Sequence, residues 1–80
     1  MDNQRQRIEQ IDSLIVQLLE ERAEVGEEIA RIKRRRGLDI EDSGQEQTVI
    51  DRAQEQTDLD VEGVFREIIE MTKTEMRDNT

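Results

Sequence analysis

The stretch LLEERAEVGEEIARIKRRRG, residues 18–37, reads as the second half of a long helix that stops at a glycine. Its apolar positions continue a stripe that begins upstream. Ile8, Ile11, Ile15, Leu18, Val25, Ile29 and Ile32 alternate spacings of three and four, with one gap, and the gap falls at Arg22. That is a heptad-like seam with helical period, widened by Leu14 and Leu19. Asp2 is placed to cap the start, and Gly37 to end the helix in the left-handed conformation. A helix over about residues 3–36 is roughly 50 Å long at 1.5 Å per residue. A compact chain of this length has a radius of gyration of only about 12 Å. The seam therefore projects beyond its own chain, and a second copy is what can cover its full length. The expected fold is all-α, with three helices per chain, a long first helix and an intertwined homodimeric helical bundle.

Composition points the same way. Eighty residues allow one domain, taken here as residues 1–80, and only 32% are hydrophobic, with Phe65 the single aromatic. Cysteine and histidine are both absent, so neither disulfides nor a zinc site can staple so small a core. Their absence also removes the commonest general base and the thiol nucleophile. Carboxylates, ten arginines, two lysines and a few hydroxyls remain. Such a set suits binding an anion and placing fixed charge, with no metal and no cofactor expected.

The net charge of −9 opposes nucleic acid and anionic membranes as partners. The local basic run Arg34, Arg35, Arg36 stands in the last turn of the first helix, where it complements the helix dipole, and no aromatics interleave with it to stack bases. No segment reads as a signal peptide, and no apolar run approaches the roughly 20 residues that span a bilayer. The protein is expected to be soluble and cytoplasmic.

Two further helices follow. The connection LDIEDSG leads to a helix over about residues 43–56, with Asp42 or Ser43 as its cap, and Glu46, Val49, Ile50 and Ala53 on one face. The loop QTDLD, with Asp60 as cap, leads to a helix over about residues 61–77 that turns Val61, Val64, Phe65, Ile68 and Ile69 inward, continued by Thr72 and Met76. The tail RDNT is expected to fray. Four polar groups thus interrupt apolar faces: Arg22, Lys33, Glu46 and Thr72. Arg22 and Lys33 are eleven residues apart, close to three turns, and point the same way. As structure, Arg22 pairs with Glu46 in the interior and Lys33 snorkels outward. As function, two cations, a carboxylate and a hydroxyl enclose a small dianion that carries a hydroxyl. Gly26 likewise reads either as close helix packing or as space for something bound beside Arg22.

RQRIEQIDSLIVQLLEERAEVGEEIARIK, DSGQEQTVIDRA and VFREIIEMTKTEM, in that order and spacing, resemble the all-helical chorismate mutase family across nearly the whole chain. The resemblance implies an intertwined dimer of three-helix chains that rearranges chorismate to prephenate. It implies that Arg22, and Arg5 supplied by the partner chain, hold the two carboxylates, and that Lys33 contacts the ether oxygen. Asp42 and Glu46 match the pair near the substrate hydroxyl, and Thr72 a small polar side chain of the site. The sequence departs from the family pattern twice. Gln45 stands where many members have Arg, and Met76 where a Gln or a protonated Glu donates to the ether oxygen; a thioether cannot donate. Met76 therefore keeps open a second reading, a catalytically impaired helical dimer that acts as a metabolite-binding or regulatory module.

Twenty-one acidic residues with only two lysines suit a protein that works in high salt. Screening of that self-repulsion is expected to raise the thermal unfolding midpoint between low and molar salt. A midpoint that does not move with salt would remove the habitat reading.

Overall fold

In the computed structural model, which describes residues 1–78, three helices follow one another: α1 over Asp2–Arg35, α2 over Ser43–Glu55 and α3 over Glu62–Asp78. The 34 residues of α1 make it the long axis of a molecule measuring 53 × 25 × 14 Å. The radius of gyration, 15.2 Å, exceeds the roughly 12 Å of a compact chain of this size, as a projecting arm requires.

The helix ends are set by local chemistry. Gly37 has φ +68°, its N–H bonds the Arg34 carbonyl at 3.1 Å, and the Leu38 N–H bonds the Lys33 carbonyl at 2.8 Å. That pair of bonds is a Schellman stop, and it needs a residue tolerant of positive φ at this point. Asp42 caps α2, its Oδ1 accepting from the Gln45 N–H at 3.1 Å. At the start of α1 the expectation fails: Met1 occupies the cap position and Asp2 is the first helical residue, with no side-chain cap. The Asp60 carboxylate accepts from the Glu62 N–H at 3.4 Å just before α3. Gln54 braces that loop from α2, donating to the Leu59 carbonyl at 2.6 Å and accepting from the Val61 N–H at 3.2 Å. Arg77 and Asp78 belong to α3 rather than to a frayed tail, and the rest of that tail, residues 79–80, lies outside the described residues.

Helix α3 is the centre of the fold. It packs against α1 on one side and α2 on the other, while α1 and α2 do not pack against each other among the described residues. The core is accordingly thin. Ala30, Ile50, Ala53, Ile69 and Met76 are its buried apolar residues. The α1 seam remains open, with Ile8 58%, Leu14 57% and Leu18 62% exposed, and Val64 of α3, expected inside, is 57% exposed.

Gly26 marks the closest approach of α1 to α3. A Cβ built there would stand 2.5 Å from Thr72 Cγ2 and 3.7 Å from Met76 Cγ. Thr72 cannot turn aside freely, because its hydroxyl donates to the Ile68 carbonyl at 3.0 Å and accepts from Arg22 at 2.5 Å. Gly26→Ala is therefore expected to destabilise the protein by about 1–2 kcal/mol, overpacking outweighing the gain of about 1 kcal/mol in helix propensity. Chemical denaturation of the two proteins measures this, and a more stable Ala variant would mean that the helices are free to move apart.

Candidate active site

Because α1 and α2 stand apart on either side of α3, a cleft of about 320 Å³ lies between them with α3 as its floor. Helix α1 contributes Arg22, Val25, Gly26, Ile29 and Lys33; α3 contributes Ile69, Thr72, Lys73 and Met76. The opposite wall is Asp42, Gln45, Glu46 and Val49, with Ile40 from the connection. Its volume lies at the lower end of the range for small-molecule sites, and its wall is mostly apolar with a few convergent polar groups.

Six of the seven site residues expected from the sequence line this one cleft: Arg22, Lys33, Asp42, Glu46, Thr72 and Met76. Arg5 does not. It is exposed on the N-terminal arm of α1, roughly 26 Å along the helix from Arg22. Gln45 sits at the rim, where its backbone N–H serves the Asp42 cap. Asp42 thus has a structural task at the mouth of the cleft, because the oxygen that ends the loop also starts α2.

The polar pairing differs from the interior Arg22–Glu46 bridge that the sequence allows. Arg22 donates to Thr72 Oγ1 and has no carboxylate partner among the described residues. Lys33 does not simply reach outward. It is half-buried and donates to the Ile40 carbonyl at 3.3 Å, also without a carboxylate partner among those residues. Glu46 pairs instead with Lys73, Nζ to Oε1 at 2.8 Å. Lys73 further meets Glu70 at 3.1 Å and Glu41 at 3.7 Å, with its side chain only 15% exposed. Hydrogen bonding to Glu46, then to Glu70, with the field of Glu41 added, holds the Lys73 ammonium above its ordinary value despite its burial, so it stays charged at any working pH.

Electrostatically the cleft inverts the sign of the chain. Three cations face two carboxylates there, in a protein of net charge −9. Lys73 is already neutralised, which leaves Arg22 and Lys33 as the charges presented to a ligand. Met76 is buried on the floor, 7% exposed, against the flank of Gly26, and brings no donor. Arg34, just past Lys33, donates to the Met76 carbonyl and closes the C-terminal turn of α3 onto α1. No group of His, Cys, Asp or Glu suited to a metal ion occurs among the described residues, and no described helix is long and apolar enough to cross a membrane.

Sequence reasoning missed the Lys73–Glu46 pair. Lys73 stands one residue off the α3 stripe that carries Thr72 and Met76, so periodicity alone assigns it to solvent. The available signal was that it is one of only two lysines in the chain.

The described residues form an all-helical domain in which Arg22, Lys33 and Lys73 meet in a mostly apolar cleft between three helices. The model of the chorismate mutase type II family matches residues 4–77, and the chain belongs to that family. No curated protein and no solved structure matches it significantly.

Proposed function

We propose that the protein is a homodimeric chorismate mutase that converts chorismate to prephenate in this cleft. One observation carries the reading: Arg22 and Lys33 project from α1 into an apolar cleft with no carboxylate to neutralise them. Half-burying two cations without a carboxylate costs stability, and an anionic ligand offsets it. The rearrangement is intramolecular. An ether C–O bond breaks as a C–C bond forms, with no covalent intermediate and no obligatory proton transfer. The site has to hold a compact reactive conformer and stabilise negative charge on the departing ether oxygen. Arg22 binds a substrate carboxylate, Lys33 leaves the Ile40 carbonyl for the ether oxygen, and Glu46, with Asp42 near it, accepts from the ring hydroxyl. Thr72 fixes the Arg22 guanidinium. No step needs a cofactor, which suits a chain without His or Cys.

The second carboxylate needs another cation, and Arg5 of the same chain is too far away to supply it. The open seam of α1 supports a dimer in which the arm of a second copy lies along this helix and delivers its own Arg5. Residues 4–77 matching the family over the arm as well as the cleft support that arrangement. A soluble, cytoplasmic setting fits the shikimate-pathway chemistry and the acidic surface. The alternative, a catalytically impaired dimer that binds a pathway metabolite, is favoured by Met76, which leaves Lys33 as the single donor to the ether oxygen.

Loss of chorismate absorbance tests the reading. Lys33→Ala is expected to lower kcat by about 10²–10³, and Met76→Gln to raise it by up to a similar factor. A folded dimer that is silent in both the parent and the Gln variant would favour the metabolite-binding module.

The crossing of Arg5 has its own test. Co-refolding inactive Arg5→Ala and Lys33→Ala chains is expected to restore about a quarter of the parent activity, because half the dimers are mixed and each holds one complete site. No recovery would place Arg5 in its own chain's site or outside the site altogether.

A further inference from the structure

Lys73 is a third cation in the cleft that the reading above leaves unused. Adjacent residues on a helix face directions about 100° apart, so Thr72 and Lys73 serve opposite walls. Thr72 meets Arg22 and Gly26 of α1, whereas Lys73 meets Glu46 of α2 and Glu41 of the connection. An ammonium has three donors. Glu46 at 2.8 Å and Glu70 at 3.1 Å take two of them, and Glu41 at 3.7 Å, beyond hydrogen-bond reach, adds only its field. Of these three, Glu46 is the one that lines the cleft, and through it Lys73 acts on the site. Glu46 lines the cleft together with the apolar Val49, Ile69 and Met76. Lys73 is its cationic partner among the described residues, and it engages one of the two carboxylate oxygens, Oε1.

We propose that Lys73 is a positioning residue: it pins Glu46 Oε1 to the floor of the cleft and offsets part of the carboxylate's charge toward an anionic ligand, which leaves Oε2 to accept from the ligand's hydroxyl. The proposal rests on the mutase reading and extends it. An unaccompanied carboxylate in a small apolar cleft repels a dianion, and a rotating one cannot orient a hydroxyl. Held by Lys73, Glu46 reads the hydroxyl with less opposition to the two carboxylates that Arg22 and its companions collect. The same clamp ties α2 to α3 at the mouth of the cleft, with Glu41 shared between Lys73 and Arg77.

The test is a double-mutant cycle on kcat and KM for chorismate in the full-length protein, with Lys73→Met, Lys73→Arg, Glu46→Gln and the Lys73→Met/Glu46→Gln pair. Helix content and thermal midpoints are followed alongside. Lys73→Met is expected to lower kcat/KM by about 10- to 100-fold, the range for losing one charge-assisted bond. Lys73→Arg recovers most of that loss. In the Glu46→Gln background, Lys73→Met adds no more than about 2-fold, because both changes remove one device. Losses that multiply would mean that Lys73 touches the ligand itself and would overturn the proposal. So would a folded Lys73→Met protein with a lower thermal midpoint and parental kinetics, since Lys73 would then serve stability alone. If Lys73→Met does not fold, Lys73→Gln, which keeps a neutral donor, replaces it under the same non-additivity requirement. A parent enzyme that leaves chorismate untouched sinks the mutase reading and this proposal together, whereas an active parent insensitive to Lys73 sinks the proposal alone.

Discussion

The close approach of α1 to α3 at Gly26 is the constraint on which the rest of the structure depends. With no side chain at Gly26, the Thr72 methyl comes within van der Waals reach of the α1 backbone, and Met76 closes in beside it. That proximity lets Arg22, one turn earlier on α1, reach the Thr72 hydroxyl, and lets Arg34, two turns later, reach the last carbonyls of α3. The two helices are thus fastened at three levels by one absent side chain and two arginines. Everything polar in the cleft is referred to this seam, because α3 carries both Thr72, which faces one wall, and Lys73, which faces the other.

The arrangement also explains how so thin a core tolerates several half-buried charges at its edge. Cations in the interior are costly when each must find its own carboxylate. Here the expense is divided. Lys73 is accompanied by acidic groups, whereas Arg22 and Lys33 are given only a hydroxyl and a carbonyl. The difference separates structural charge from charge held in reserve, and it does so between residues of the same chemical type.

Much of this was legible in the sequence, for reasons that differ from residue to residue. The period of the Ile and Leu positions declared α1, and the glycine at 37 declared its end, because only a left-handed residue satisfies both terminal carbonyls there. Arg22, Lys33, Glu46 and Thr72 stood out as polar interruptions of apolar faces, and the structure brings all four to one cleft. What periodicity could not resolve was pairing. Glu46 has an arginine and a lysine within plausible reach, and its choice of Lys73 over Arg22 depends on α1 and α2 standing apart on either side of α3. No pattern within a single helix encodes that separation. Val64 fails for the related reason that a stripe records which face is apolar but not how much of it a neighbour covers. Asp2 fails because the helix starts one residue earlier than its best cap.

The separation of α1 from α2 has a consequence for how such a site can change over time. Helices α1 and α2 do not pack against each other among the described residues, and the hydrogen bond from Lys33 to the Ile40 carbonyl at 3.3 Å reaches across the gap. Helix α2, braced through Gln54 and clamped through Lys73, travels with α3 as one hairpin. The distance across the cleft is then a lever arm whose fulcrum is the contact between Gly26 and Thr72. A methyl added at that fulcrum pushes α1 from α3 and draws Arg22 away from the Thr72 hydroxyl. The width of the cleft and the spacing of its charges are therefore coupled in this architecture, both set at one point of helix packing.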